Sequence, residues 1–290
     1  MDGLSNTCPT FPTQTVTTTS GKQLEAVVGD EITEQIVRHG EYDGLALSSL
    51  REVLGRLQPR TSLDVGANIG NHAVVIGEHS ATVAAFEPIP AIFDILARNL
   101  RNNLGDRGQA FNLALSDCRA DLAIAVSRSG NLGSSSLESV SGDQSTQTIH
   151  AVVGDDFLAE QGIDNVDFIK IDVEGHEGKA LLGLQKTISR CQPLIILEWR
   201  HPNTIADFRQ ENLFNVLLPG YQALALVQLD SKKLYPRTLF GRLQRLNQRL
   251  RKPQWCLSDF RPERKFSNVY LVPEKHQALF RSFPYRPLAD

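Results

Sequence analysis

Four cysteines in 290 residues, Cys8, Cys118, Cys191 and Cys256, are too few and too scattered for a disulfide framework. The absence of any Cys-x-x-Cys pair removes the usual thiolate zinc site. Reduced thiols and a cytoplasmic home are therefore expected. Charge of one sign is lacking too. Lys and Arg number 30 against 33 Asp and Glu, and a net charge of −3 gives no global attraction to nucleic acid. No apolar run approaches the roughly 18 residues of a membrane span. Met1-Asp2-Gly3-Leu4 opens neither a basic region nor an apolar stretch of the kind a secretory signal needs. What is present, 41% hydrophobic and 22% charged residues, is enough to build a core. The length allows one large domain or two small ones.

The chain divides by composition. Residues 1–22, rich in Thr, Pro, Ser and Gln, read as a flexible tail, because such a segment buries too little apolar surface to offset its ordering entropy. The remainder, 23–290, reads as a single domain with its core at about 61–200. Apolar residues at helical spacings between Gln23 and Leu57 predict two helices ahead of that core. From Ser62 the pattern becomes strand, turn, helix: Leu63 to Val65, Thr82 to Glu87, a helix from Pro90 to Asn103 with Gly105 just beyond it, then a strand from Gln109 to Leu115. The alternation resumes at Val166 to Ile171 and at Leu194 to Trp199, continuous apolar runs suited to strands covered on both faces. Alternation of this kind implies an α/β, Rossmann-like fold, a mostly parallel sheet with helices on both faces. Asp117 to Gln147 interrupts it as an inserted hairpin and loop, and Tyr221 to Leu229 with Val269 to Val272 suits a closing antiparallel pair.

Leu63-Asp64-Val65-Gly66-Ala67-Asn68-Ile69-Gly70-Asn71 is a strand entering a glycine turn and then a helix, where free N–H groups collect. The second and third glycine places of a dinucleotide fingerprint hold Asn68 and Asn71 instead, which disfavours a pyrophosphate. Glu87 ends the next strand, where a carboxylate reaches ribose hydroxyls. A ligand with a ribose, no phosphates and a positive charge for Asp64 to stabilise is S-adenosylmethionine. An ordinary βα turn with an exposed Glu is the plainer alternative.

Asp64-Val-Gly-Ala-Asn-Ile-Gly-Asn71, Phe86-Glu87-Pro88, Asn112-Leu-Ala-Leu-Ser-Asp117, Ser134-Ser135-Ser136-Leu137 and Phe168-Ile-Lys-Ile-Asp-Val-Glu-Gly-His-Glu177 together resemble the FkbM-type methyltransferases. The resemblance covers roughly Asp30 to Glu198, with a weaker match at Asn268 to Pro273. It implies a class I methyltransferase sheet and transfer to a hydroxyl of a sugar, polyketide or other small metabolite. It would give the methionine part of the cofactor to Asp64, Gly66, Asn68 and Gly70, the ribose to Glu87 and the adenine to the turn near Ala114. Asn71 and Asp172 complete the expected cofactor set.

Strand periodicity puts Phe168, Lys170 and Asp172 on one face and Asp167, Ile169 and Ile171 on the other. A Lys inside a central strand requires a carboxylate neighbour, with Glu198 and Asp172 as candidates. Asp172, Glu174, His176 and Glu177 follow at the strand's carboxyl end, where ligands bind in open α/β sheets. His176 is the natural general base for a hydroxyl, with Glu174 orienting it or serving as base itself. Lys170 and Glu198 complete the expected catalytic set. Asp172, Glu174, His176 and Glu198 are also oxygen and nitrogen donors for Mg2+, the lesser reading.

Arg237 to Lys252 carries six basic residues, no acidic one, and a stripe of Phe240, Leu243, Leu246 and Leu250. Such a helix packs on the domain, touches an anionic membrane surface, or grips a phosphorylated saccharide. The combined expectation is an S-adenosylmethionine-dependent O-methyltransferase acting on a sugar or other small hydroxylated acceptor. The alternatives are an NAD-linked oxidoreductase or epimerase on the same sheet, and a non-catalytic binding module that keeps the cofactor fold.

Overall fold

The computed structural model describes residues 11–127, 144–229 and 255–288. The basic stretch 237–252 and residues 128–143 of the insertion read over Asp117 to Gln147 lie outside the described residues.

The segment read as a tail is in part a strand. Thr13–Thr17 (β1) pairs antiparallel with Gln23–Val27 (β2). Long-range packing overrides composition here. Val16, Leu24, Ala26 and Val27 are buried in the core, and the Glu25 N–H donates to Asn99 Oδ1 at 2.7 Å while Asn99 Nδ2 returns a bond to the Glu25 carbonyl at 2.8 Å. The two expected helices follow, Glu31–His39 (α1) and Gly44–Leu57 (α2). Asp30 caps the first by accepting from the Ile32 N–H, and Gly40, at φ 76°, ends it. Asp43 caps the second from a left-handed conformation.

Thr61–Val65 (β3), Asn71–His79 (α3), Thr82–Phe86 (β4), Pro90–Leu104 (α4) and Gly108–Phe111 (β5) carry the first half of the main sheet. The third strand is shorter than its apolar run predicts. Asn112 turns inward to donate to the carbonyls of Glu87 and Pro88 at 2.9 and 3.0 Å, and Ala114–Ser116 (β6) leaves for a separate three-stranded sheet. The inserted hairpin is present as Ala120–Ser127 (β7) paired antiparallel with Gln144–Val153 (β8), which also holds β6.

Gly154–Glu160 (α5), Phe168–Ile171 (β9), Glu177–Gly183 (α6), Gln185–Cys191 (α7), Leu194–Trp199 (β10), Pro202–Gln210 (α8) and Leu213–Val216 (α9) form the second half. Gln222–Gln228 (β11) and Phe266–Val272 (β13) make the expected antiparallel pair, with Trp255–Asp259 (β12) outside them and Glu274–Phe280 (α10) at the end. The strand β12, just beyond the basic stretch Arg237 to Lys252, has no counterpart in the sequence reading.

The main sheet runs β12-β11-β13-β10-β9-β3-β4-β5, parallel from β10 through β5. From β3 the chain winds first toward β5 and later, through β9, toward the opposite edge. The β3/β9 boundary is therefore a topological switch point, and a crevice opens outside the carboxyl ends there. One face packs Phe168, Leu194 and Ile196 under α1 to α4, and the other packs Ile169, Ile171, Ile195 and Leu197 under α5 to α9. This is the α/β fold with both faces covered, as the class I methyltransferase expectation requires. Among the described residues, no helix is long and apolar enough to cross a membrane.

Candidate active site

The turn after β3 is held by backbone. The N–H groups of Gly66 and Ala67 both donate to the Phe86 carbonyl, at 3.0 and 2.9 Å. Gly66 has φ 79°, and a Cβ there would lie 1.9 Å from the Asp172 carbonyl oxygen, so glycine is required by the close approach of β9's end. Gly70, at φ 91°, faces Leu96 of α4 and does not line the cavity. Asn68 is left-handed, its side chain accepting from the Ile69 N–H at 2.7 Å.

Glu87 closes this side. Its carboxylate accepts from the N–H groups of Asn68 (3.0 Å) and Ile89 (2.9 Å) and is only 6% exposed. Burial pushes it up to about 7, against the two N–H bonds that favour its charged form. The cavity of which it forms part has about 1160 Å3 of empty space, counting its open mouth. Gly66, Asn68, Asn71, Glu87 and Ala114 all border it, with Leu113, Leu115, Leu122, Ile124 and Ile149 as apolar wall. Asp172, Glu174, His176, Glu198 and the Lys170 end complete the rim, so ten of the twelve expected site residues meet here.

Asp64 does not reach the cavity. It is fully buried and is the register partner of Lys170 across β3 and β9. Lys170 Nζ lies 3.4 Å from Asp64 Oδ1 and 3.3 Å from Asp172 Oδ2. Glu198, the other candidate partner, sits two residues past Ile196, the register neighbour of Lys170 on β10, and binds Arg200 through its Nε at 2.7 Å. Burial works against the Lys170 charge, but Asp172 and Asp64 outweigh it and hold the ammonium above its usual range. Asp172 stays below the usual carboxylate range; burial opposes this, and Lys170 beside it prevails.

Glu174, in the left-handed region at φ 50°, and Glu198 are each pushed up to about 7, first by burial and then by neighbouring carboxylates. The ligand atoms of Asp172, Glu174 and Glu198 all lie within 4.8 Å of one another. His176 is not part of this group. Its Nε2 is hydrogen-bonded to Ser116 Oγ at 3.0 Å, on the Ala114 side, and burial lowers its basicity. The expected His176–Glu174 pair therefore does not form, because the loop turns between them at Gly175, φ 101°. Glu177 holds that loop, accepting from the N–H groups of Val173 and Gly175 and from the Thr204 hydroxyl.

Four residues absent from the sequence reading also belong here. Tyr42 and His72 line the cavity as a T-shaped pair. His72 Nε2 lacks a hydrogen-bond partner, and burial, then Lys170, lowers it to about 3, so the ring is neutral. Arg200 stands at the rim, and Asp43 Oδ2 lies behind the ring, 3.9 Å from His72 Nε2. Arg200, two residues beyond a strand-end Glu, is the one that the local pattern signals.

The segment 64–219, just over half of the chain, matches the model of the methyltransferase FkbM domain. The chain belongs to the FkbM methyltransferase domain family. It is also 29% identical, over 137 residues, to the hexuronic acid methyltransferase AglP of Haloferax volcanii; the match spans 46% of this chain and about half, 53%, of that relative. Among solved structures, a methyltransferase FkbM from Methylobacillus flagellatus KT is similar at a TM-score of 0.44 and 18% identity, covering 74% of this chain and 44% of the other. An O-methyltransferase from Bacillus cereus in complex with SAH is similar at 0.44 and 13%, covering 84% and 91%.

The residues of this FkbM domain fit S-adenosylmethionine better than a dinucleotide. Of the described residues bordering the cavity, the two Lys and Arg side chains, Lys170 and Arg200, are both engaged by carboxylates, leaving none for a pyrophosphate. Glu87 keeps acceptor capacity for hydroxyls.

Proposed function

We propose that the chain transfers a methyl group from S-adenosylmethionine to a hydroxyl of a sugar or other small hydroxylated molecule. The observation that carries this reading is one cavity with two chemically distinct sides, a glycine turn with Glu87 on one and the carboxyls of Asp172, Glu174 and Glu198 on the other. The FkbM domain and the sugar-acid methyltransferase relative support it.

When bound, S-adenosylmethionine supplies a methyl group on a positively charged sulfur. Gly66 to Asn68 and Asn71 would border its methionine part, Glu87 would accept from the ribose hydroxyls, and the Leu113 to Leu115 segment would cover the adenine. Asp172 keeps its charge through Lys170 and so favours a cation nearby. Glu174 is the base in this reading, since a carboxyl titrating near neutrality takes the acceptor hydroxyl's proton at working pH. Burial, and then Glu198, which Arg200 anchors, keep Glu174 basic. His176 and Ser116 position the cofactor's side of the cavity.

Incubation with methyl-labelled S-adenosylmethionine and a panel of hydroxylated acceptors tests the reading. The Glu174→Gln variant is expected to lose roughly 10²- to 10⁴-fold in kcat with cofactor affinity unchanged. Wild-type kcat/KM should rise with pH through about 7. Full activity of Glu174→Gln would remove the base assignment, and loss of activity in EDTA with recovery on added Mg2+ would make the three carboxyls cation ligands instead.

A further inference from the structure

Beside the cofactor cavity lies a second cavity with about 940 Å3 of empty space, again counting its open mouth. The two share Tyr42, Asp172, Glu174, Glu198 and Arg200 as a common wall. The far wall comes from outside the family-matched segment: Glu31 and Gln35 on α1, Asp43 at the cap of α2, and Ser267 and Asn268 on β13. The start of α2 is fastened to β13, and a bond along α1 holds Gln35 beside Glu31. Asn268 Nδ2 donates to Asp43 Oδ2 at 3.3 Å, Gln35 Nε2 donates to Glu31 Oε1 at 3.0 Å, and Ser49 of α2 hydrogen-bonds Tyr270 of β13 at 2.8 Å.

Size and charge both restrict the occupant. The volume suits a small molecule of one or two sugar rings. Five carboxyl side chains, those of Glu31, Asp43, Asp172, Glu174 and Glu198, border it. Arg200 is the single Lys or Arg among the described residues that do so, and Glu198 already engages it. A carboxylate or phosphate entering here meets like charge on several sides with no unpaired described cation to offset it. A hydroxyl donates to these carboxylates and accepts from the amides of Gln35 and Asn268.

We infer that this cavity receives the acceptor and selects an uncharged, polyhydroxylated molecule, a neutral hexoside, over its acidic counterpart. The inference rests on the methyl-transfer reading and separates this chain from its relative, whose name specifies a hexuronic acid. Burial and then Glu198 raise Glu174, burial and then Asp172 raise Glu198, and an anionic acceptor adds to that repulsion.

Calorimetry on the full chain saturated with S-adenosylhomocysteine, in EDTA at pH 8, decides it. Methyl hexosides of gluco, galacto and manno configuration are compared with the matching uronides. The best neutral glycoside should bind at least tenfold more tightly than its uronide, and Glu31→Lys should narrow that gap at least threefold without altering S-adenosylhomocysteine affinity. A uronide that binds as well as or better than the neutral partner overturns the inference. If S-adenosylhomocysteine binds and no glycoside of either kind does, the acceptor assignment of this cavity is wrong while the cofactor side stands. If S-adenosylhomocysteine itself fails to bind, the methyl-transfer reading falls first.

Discussion

On the cofactor side the glycine turn and Glu87 come from one short stretch of chain, whereas the acceptor side comes from four distant ones. Gly66, Asn68 and Ile89 each donate a main-chain N–H, the first to the Phe86 carbonyl and the other two to the Glu87 carboxylate, at the ends of the first two strands of the parallel sheet. Across the cavity, Tyr42 and Asp43, Asp172 and Glu174, Glu198 and Arg200, and Ser267 and Asn268 meet through side-chain charge. The difference teaches where each kind of recognition can be changed. Backbone recognition is rigid and tolerates little substitution. A wall of side chains from separate elements can change its charge without disturbing the sheet, which suits a common cofactor met by varied acceptors.

The two sides touch at Gly66, and the largest expected effect tests that junction. A Cβ 1.9 Å from the Asp172 carbonyl, on a residue at φ 79°, cannot be accommodated without moving β3 from β9. Gly66→Val should therefore both lower the melting temperature and abolish cofactor binding by calorimetry. A variant that melts like wild type and loses only the cofactor would show the two sides to be mechanically separate.

Next comes the buried charge beneath both. Lys170→Met leaves Asp64 and Asp172 without their counter-ion and should cost about 3 to 5 kcal/mol in urea unfolding. Adding Asp64→Asn should recover part of this loss. A cost under about 1 kcal/mol would mean that the carboxyls simply take up protons.

Confined to the cofactor side, Glu87→Ala should weaken S-adenosylmethionine by about 1.5 to 3 kcal/mol, the range of hydrogen bonds to charged groups, while leaving glycoside binding unchanged. Equal weakening of both ligands would blur the distinction between the sides.

The smallest effect is the pH dependence of the free protein. Glu87, Glu174 and Glu198 are each raised from 4.5 to about 7, so between those values the folded state binds more protons than the unfolded one. Their stabilising contribution is complete below pH 4.5 and is lost as pH rises through 7, opposite to an ordinary ion-paired carboxylate. The melting temperature should therefore fall as pH rises across that window, read by calorimetry at a series of pH values. Replacing Glu174 and Glu198 by Gln should flatten the acceptor side's share and leave that of Glu87. No change in slope would mean that these carboxyls are already ionised near pH 5.

Much of this was legible beforehand where the signal was local. Pro90 and Gly105 bracket α4 as read, Leu194–Trp199 is the strand its apolar run predicts, and Glu87 stands at the cavity because it ends a strand beside the glycine turn. The face assignment of Phe168 and Lys170 also holds, since strand alternation is a property of the backbone alone.

The type and order of the central elements, and the chemistry collected at their carboxyl ends, were legible without any three-dimensional information. Apolar periodicity, caps and turn residues act over a few residues and need no partner. Only the tertiary structure decided which charges neutralise one another. Register across β3 and β9 gives Lys170 to Asp64 in place of Glu198, the turn at Gly175 gives His176 to Ser116 in place of Glu174, and pairing with β2, whose Glu25 is held by Asn99, makes a strand of Thr13–Thr17. These pairings join residues far apart in the chain. Their energy comes from burial and Coulomb attraction, which exist only once the strands are aligned.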